Sequence, residues 1–167
     1  MSKLVAFALA TAMAAAFAIA PAAAEAIKVE AVLAPTQKMR LNFEDGSRRF
    51  VLLVRREGTA KGSGPLDGAK VTEYGMHDIT PGVAGDPRGF LEFADAEGGK
   101  AYIKWQVRAV FVSGANGKPK LLDYGFWEIV GGTGKFAGMK GVGTLRIKAA
   151  SKTDRRFILE GDLVAAP

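Results

Sequence analysis

The chain has 167 residues, close to half of them apolar, with 21 glycines, no cysteine and a formal net charge of +6. Such a length suits one domain of the common ~100–150-residue size, and the apolar fraction excludes a disordered chain, which cannot bury enough surface to offset its entropy. Without cysteine there is neither a disulfide scaffold nor a thiolate-ligated zinc or iron–sulfur site.

Residues 1–24 read as a cleavable signal peptide. Lys3 is a short positive start, Leu4–Ala20 is an apolar run rich in Ala, and Pro21-Ala22-Ala23-Ala24 ends it in small residues. Ala22-Ala23-Ala24 and Ala24-Glu25-Ala26 both fit the small-x-small rule, so cleavage falls at Ala24 or Ala26. A membrane anchor of ~18 residues would be rich in Leu, Ile and Val and would lack that cleavage pattern. Residues 25–167 are therefore expected to form one domain, periplasmic or secreted, with no stable membrane insertion after cleavage. An oxidising compartment also suits a chain without thiols.

From there the sequence is strand after strand. Ile27–Leu33 is a first segment, and 37–43 alternates, with Met39, Leu41 and Phe43 opposing Lys38, Arg40 and Asn42. Glu44-Asp45-Gly46-Ser47 is turn chemistry. Phe50–Val54 follows, then Gly58–Gly68, whose glycines and Pro65 predict a long loop. Val71–Thr80 is a strand; Pro81-Gly82 and Asp86-Pro87 bracket a loop; Phe90–Phe93 is a short strand.

Lys100–Val112 is the clearest strand, with Ala101, Ile103, Trp105, Val107, Ala109 and Phe111 on one face and Tyr102, Lys104, Gln106 and Arg108 on the other. Leu121–Val130, Thr144–Lys148 and a segment carrying Phe157, Leu159 and Leu163 complete about nine period-2 segments. Short strands at this spacing predict an all-β sandwich or barrel, antiparallel because the alternation is one-sided, and closure removes the unpaired edges. Phe50–Val54 and Tyr124–Val130 are apolar on both faces, which predicts a covered outer surface there and hence a homo-oligomer, a dimer or trimer.

The densest motif is Gly131-Gly132-Thr133-Gly134-Lys135-Phe136-Ala137-Gly138-Met139-Lys140-Gly141. A phosphate loop would need Gly where Ile129 stands and Ser or Thr where Phe136 stands, and a dinucleotide loop would need Gly138 one residue earlier. The segment instead resembles the signature of the allene oxide cyclase and dirigent-protein superfamily, with Met139 for the usual Ala and Lys140 for the usual Arg. That resemblance implies an eight-stranded antiparallel β-barrel of the calycin-like, allene-oxide-cyclase/dirigent type, with an apolar lumen and commonly trimeric. It assigns no catalytic residue here. In this frame Gly131, Gly132, Thr133, Gly134, Lys135, Phe136, Gly138 and Gly141 form a structural loop, with Phe136 plugging the barrel end.

His77 is the only histidine, and with only Glu73 and Asp78 beside it a metal site is not expected. On a regular strand it faces inward, as does Trp105, so the expected lumen lining is His77, Trp105, Glu73, Trp127 and Phe90. Trp127 and Tyr124 fall on opposite faces of one strand. Arg48-Arg49, Arg55-Arg56 and Arg155-Arg156 read as separate, solvated pairs beside acids, unlike the stripe that nucleic acid requires, so no nucleic-acid partner is expected. The leading expectation is an exported barrel that binds a small apolar molecule without a cofactor. A cyclase or isomerase acting by lumen shape is the alternative, and a solid structural or assembly barrel the third.

Overall fold

The computed structural model describes residues 23–114, 117 and 119–165; the apolar core of the expected signal segment lies outside them. Eight antiparallel strands follow in chain order: β1 Glu25–Asn42, β2 Phe50–Gly62, β3 Lys70–Thr80, β4 Ala84–Ala94, β5 Lys100–Ser113, β6 Pro119–Gly132, β7 Lys140–Ala149 and β8 Arg155–Val164. Each pairs with its neighbours in sequence, and β1 pairs with β8, which closes the barrel. The expected fold class is what the chain adopts.

Period-2 patterning sets the two surfaces. On β5, Ala101, Ile103, Trp105, Val107 and Ala109 are buried while Tyr102, Lys104, Gln106 and Arg108 are exposed. The same alternation buries Ile27, Val29, Ala31 and Leu33 on β1 and Phe157, Leu159 and Leu163 on β8. Burying a large apolar side chain contributes roughly 1.5–3 kcal/mol, so the inward rows hold the wall around its axis.

Three local expectations change. The first two predicted segments are one strand, continuous through an irregularity between Pro35 and Gln37. That irregularity reverses the faces beyond it, so Met39 and Leu41 point outward and are exposed instead of packing inside. The loop expected at Gly58–Gly68 is shorter, because β2 runs to Gly62. Asp86-Pro87, expected to bound a loop, lies inside β4, where proline lacks an N–H and the β4–β5 ladder skips from Gly85 to Arg88.

The two ends of the barrel differ. At the end where β2–β3, β4–β5 and β6–β7 connect, Leu66 and Phe136 fold back to complete burial, sealing Phe93, Ala101 and Leu163 beneath them. At the opposite end the wall is less fully paired. β1 beyond Leu33 has no ladder to β8, and β6 pairs with β7 only between Gly125 and Glu128. There the Asp123 carboxylate accepts the Ile147 backbone N–H at 2.8 Å, a side chain standing in for a ladder bond. Inward-facing Phe50, Leu52, Ile79, Phe111 and Ile147 are left partly exposed around this open mouth.

Candidate functional site

Between the sealed half and the mouth lies a cluster of buried charge. The β2–β3 register sets Arg56 opposite Glu73. Period 2 then places Glu73, Gly75 and His77 in one inward row on β3. Glu73 is fully buried, Arg56 nearly so, and His77 is 9% exposed.

Arg56 Nη1 donates to Glu73 Oε2 at 2.6 Å, and His77 Nε2 sits 2.8 Å from Glu73 Oε1. Gly75 makes the second contact feasible. A Cβ there would lie 2.2 Å from Glu73 Oε1 and 2.9 Å from His77 Nε2, so only glycine lets the two flanking side chains meet across it. Such a missing side chain inside a strand marks a close approach.

The hydrogen bonding is lopsided. Both carboxylate oxygens of Glu73 are engaged. His77 Nε2 also lies 3.1 Å from Arg56 Nη1, and it can serve only one neighbour: as N–H it donates to Glu73, as a lone pair it accepts from Arg56. Among the described residues, three buried donors have no acceptor: Arg56 Nε and Trp105 Nε1 in the cluster, and Arg55 Nε outside it. A buried donor left unmatched costs about 1–3 kcal/mol.

Aromatic rings frame the cluster. The Trp105 ring lies 5.9 Å from His77 and meets Phe157 edge-on at 5.6 Å. Arg155, paired in register with inward Leu33 on β1, brings a second guanidinium to the same side of the wall. Burial and then the like charge of Arg56 hold its pKa below the ordinary arginine value. Arg155 Nη1 donates to the Asp154 carbonyl at 2.8 Å, and the Asp154 charge counters that of Arg56 ahead of Glu73.

Of the residues expected to line the lumen, Glu73, His77 and Trp105 come together. Trp127 is also inward, opposite Trp105 in the β5–β6 register, but makes no hydrogen bond to the polar cluster. It is fully buried, its indole lies over Gly141, Gly143 and Gly161, and its Nε1 donates to the Glu160 carbonyl at 3.3 Å. Phe90 is on the outer face and half exposed, because its position on β4 has the opposite parity to the buried Leu91 and Phe93. Arg56 corrects the reading of Arg55-Arg56 as a solvated pair: it shares parity with buried Val54, and that was its available signal.

The glycine-rich segment is a closure. Gly131 and Gly132 end β6, and the Thr133 hydroxyl accepts the Lys100 N–H at 3.0 Å. A 3₁₀ turn, Gly134–Phe136, then drives Phe136 into the barrel, with Gly134 and Gly138 at positive φ on either side. Lys135 stays half exposed 3.5 Å from Asp95, and Gly141 opens β7 beneath Trp127. The described residues hold no cluster of three or more metal-ligating side chains.

No family model and no curated protein matches the sequence. Among solved structures, the chain is similar to the pterocarpan synthase dirigent protein PsPTS1, at 11% identity and a TM-score of 0.52, over 89% of this chain and 99% of that one. It is also similar to the pterocarpan synthase dirigent protein GePTS1, at 14% identity and a TM-score of 0.49, over 95% and 98%. A third similar structure is a protein of unknown function from the DUF3224 family of Shewanella oneidensis, at 17% identity and a TM-score of 0.43, over 86% and 99%. At these identities the first likeness bears on fold alone: the barrel is dirigent-like.

Proposed function

We propose that this is an exported barrel that holds a small, largely apolar molecule in the open half of its lumen. One observation carries the reading. Inward apolar side chains, Phe50, Leu52, Ile79, Phe111 and Ile147, stay partly exposed at one end only, directly above a buried polar floor. A solid structural barrel has no reason to place charge inside its wall, since buried ion pairs are seldom more stabilising than apolar packing. Apolar burial, at roughly 25 cal/mol per Å², supplies the affinity. Trp105 and His77 form the inner wall. Export rests on the composition of residues 1–24.

Titrating fatty acids and small aromatics while following tryptophan emission and native mass tests this. Binding quenches Trp105 and adds the ligand's mass. A panel that gives neither change overturns the reading.

A second copy of the chain is the partner proposed for the outer wall. Met39, Leu53, Tyr74 and Phe90 line an apolar groove of about 660 Å³ there, and the neighbouring β1 residues Gln37–Asn42 pair only with β2. An open ladder edge beside exposed apolar side chains suits the same edge of another copy across a two-fold axis. Light scattering at micromolar concentration is expected to give a multiple of the monomer mass that Met39→Lys reduces. A monomeric parent protein overturns the proposal.

A further inference from the structure

Resting on the lumen-binding reading, we infer that the site selects a ligand whose buried end is a carboxylate. The cluster holds two buried donors that no protein acceptor reaches. Arg56 Nε and Trp105 Nε1 are both buried without an acceptor among the described residues, and both side chains neighbour His77. Glu73, the one carboxylate in the cluster, has each oxygen committed. Arg155 is not a spare donor here, because its Nη1 donates to the Asp154 and Ser151 carbonyls at the β7–β8 turn.

The chemistry that completes such a site is specific. An alcohol brings one acceptor and its own proton; an ammonium brings only donors and repels the two arginines. Water satisfies the orphan N–H groups but carries two further donors that then need acceptors. A carboxylate brings acceptors alone. Arginine also presents its N–H groups in the fork that matches two carboxylate oxygens. The part-exposed rim of Phe50, Leu52 and Phe111 then covers the apolar remainder of the same molecule.

A matched series of 4-phenylbutyrate, 4-phenylbutan-1-ol and 4-phenylbutylamine isolates the head group. Calorimetric titration and native mass spectrometry of the mature chain are expected to rank the acid first, at least about tenfold tighter than the alcohol, with the amine weakest. Trp105→Phe keeps the ring and removes the donor, so it narrows the acid-to-alcohol ratio without disturbing the fold. Arg56→Met narrows it further. If the alcohol binds as tightly as the acid, the carboxylate inference is overturned while the lumen reading stands. If the acid preference is unchanged in both variants, the inference is likewise overturned, because the preference then arises elsewhere on the surface. If none of the three binds, the lumen reading falls and the inference falls with it.

Discussion

The sealed and open halves of the barrel are built from the same strands, yet they handle their interior oppositely. In the sealed half, connections between strands fold apolar side chains back into the barrel, Leu66 from one and Phe136 from another, and the inward rows meet no charge. In the open half the β3–β4 connection leaves Val83 at 62% exposure, the β6–β7 seam is held by side chains, and Arg56, Glu73 and His77 lie buried just inside. The contrast separates duties along the axis. One half supplies cohesion, and that cohesion permits the other to keep desolvated charge that no ladder or core requires.

The contrast is sharpest in the responses to truncation. Glu73→Ala leaves the Arg56 guanidinium buried without its counter-charge, and the expected loss is about 3–5 kcal/mol. Replacing both partners together, Arg56→Met with Glu73→Leu, is expected to return most of that stability or exceed it, since apolar packing of similar volume is often at least as favourable. Phe136→Ala opens a cavity beneath the closing turn at a similar cost, about 3–5 kcal/mol. Phe111→Ala, at the mouth, is expected to cost well under half as much, because its side chain is already partly solvated. Urea unfolding midpoints measure all four. Equal losses for Phe136→Ala and Phe111→Ala would erase the distinction between the ends.

A smaller effect probes the geometry of the cluster alone. Gly75→Ala puts a methyl group 2.2 Å from Glu73 Oε1, so carboxylate or imidazole must move. The expected loss is about 1–3 kcal/mol, the usual range for overpacking, together with a shifted His77 ring resonance. An unchanged resonance would mean that His77 and Glu73 do not meet.

The sealed half was largely legible in the sequence, the open half much less so. On β5 the strict alternation around Trp105 fixes the inward face, and the glycine-rich segment announces its own turn with Phe136 as the plug. Glu73 and His77 were legible through parity on β3. Arg56 was not, because a basic pair is ordinarily solvated and only its phase with Val54 marks it as inward. Phe90 misleads for the opposite reason: an aromatic in an apolar run suggests the lumen, although Leu91 and Phe93 hold the inward parity. The irregularity after Pro35 was invisible too, since alternation on 37–43 is intact and only its phase relative to Ile27–Leu33 changes. Face assignment survives only as long as register does.

The smallest expected effect separates the surface charges from the buried cluster. The Asp78 carboxyl is held below its ordinary value of 3.8, first by its hydrogen bonds from Arg49 and then by that guanidinium's charge. Glu160 is lowered by the same kind of contact with Lys28, at 2.8 Å. A carboxyl whose folded pKa is depressed stabilises the fold above the unfolded value, and that contribution disappears as pH falls through the folded one. Lys28–Glu160 is largely solvated and Arg49–Asp78 partly so, so each contributes little at neutral pH. Urea midpoints should therefore be flat between pH 5 and 7 for these groups and decline below about pH 4. Asp78→Asn is expected to lower the neutral midpoint slightly and to make the acid decline shallower, because the titrating group is gone. An acid limb identical to that of the parent would assign the acid sensitivity to other carboxyls.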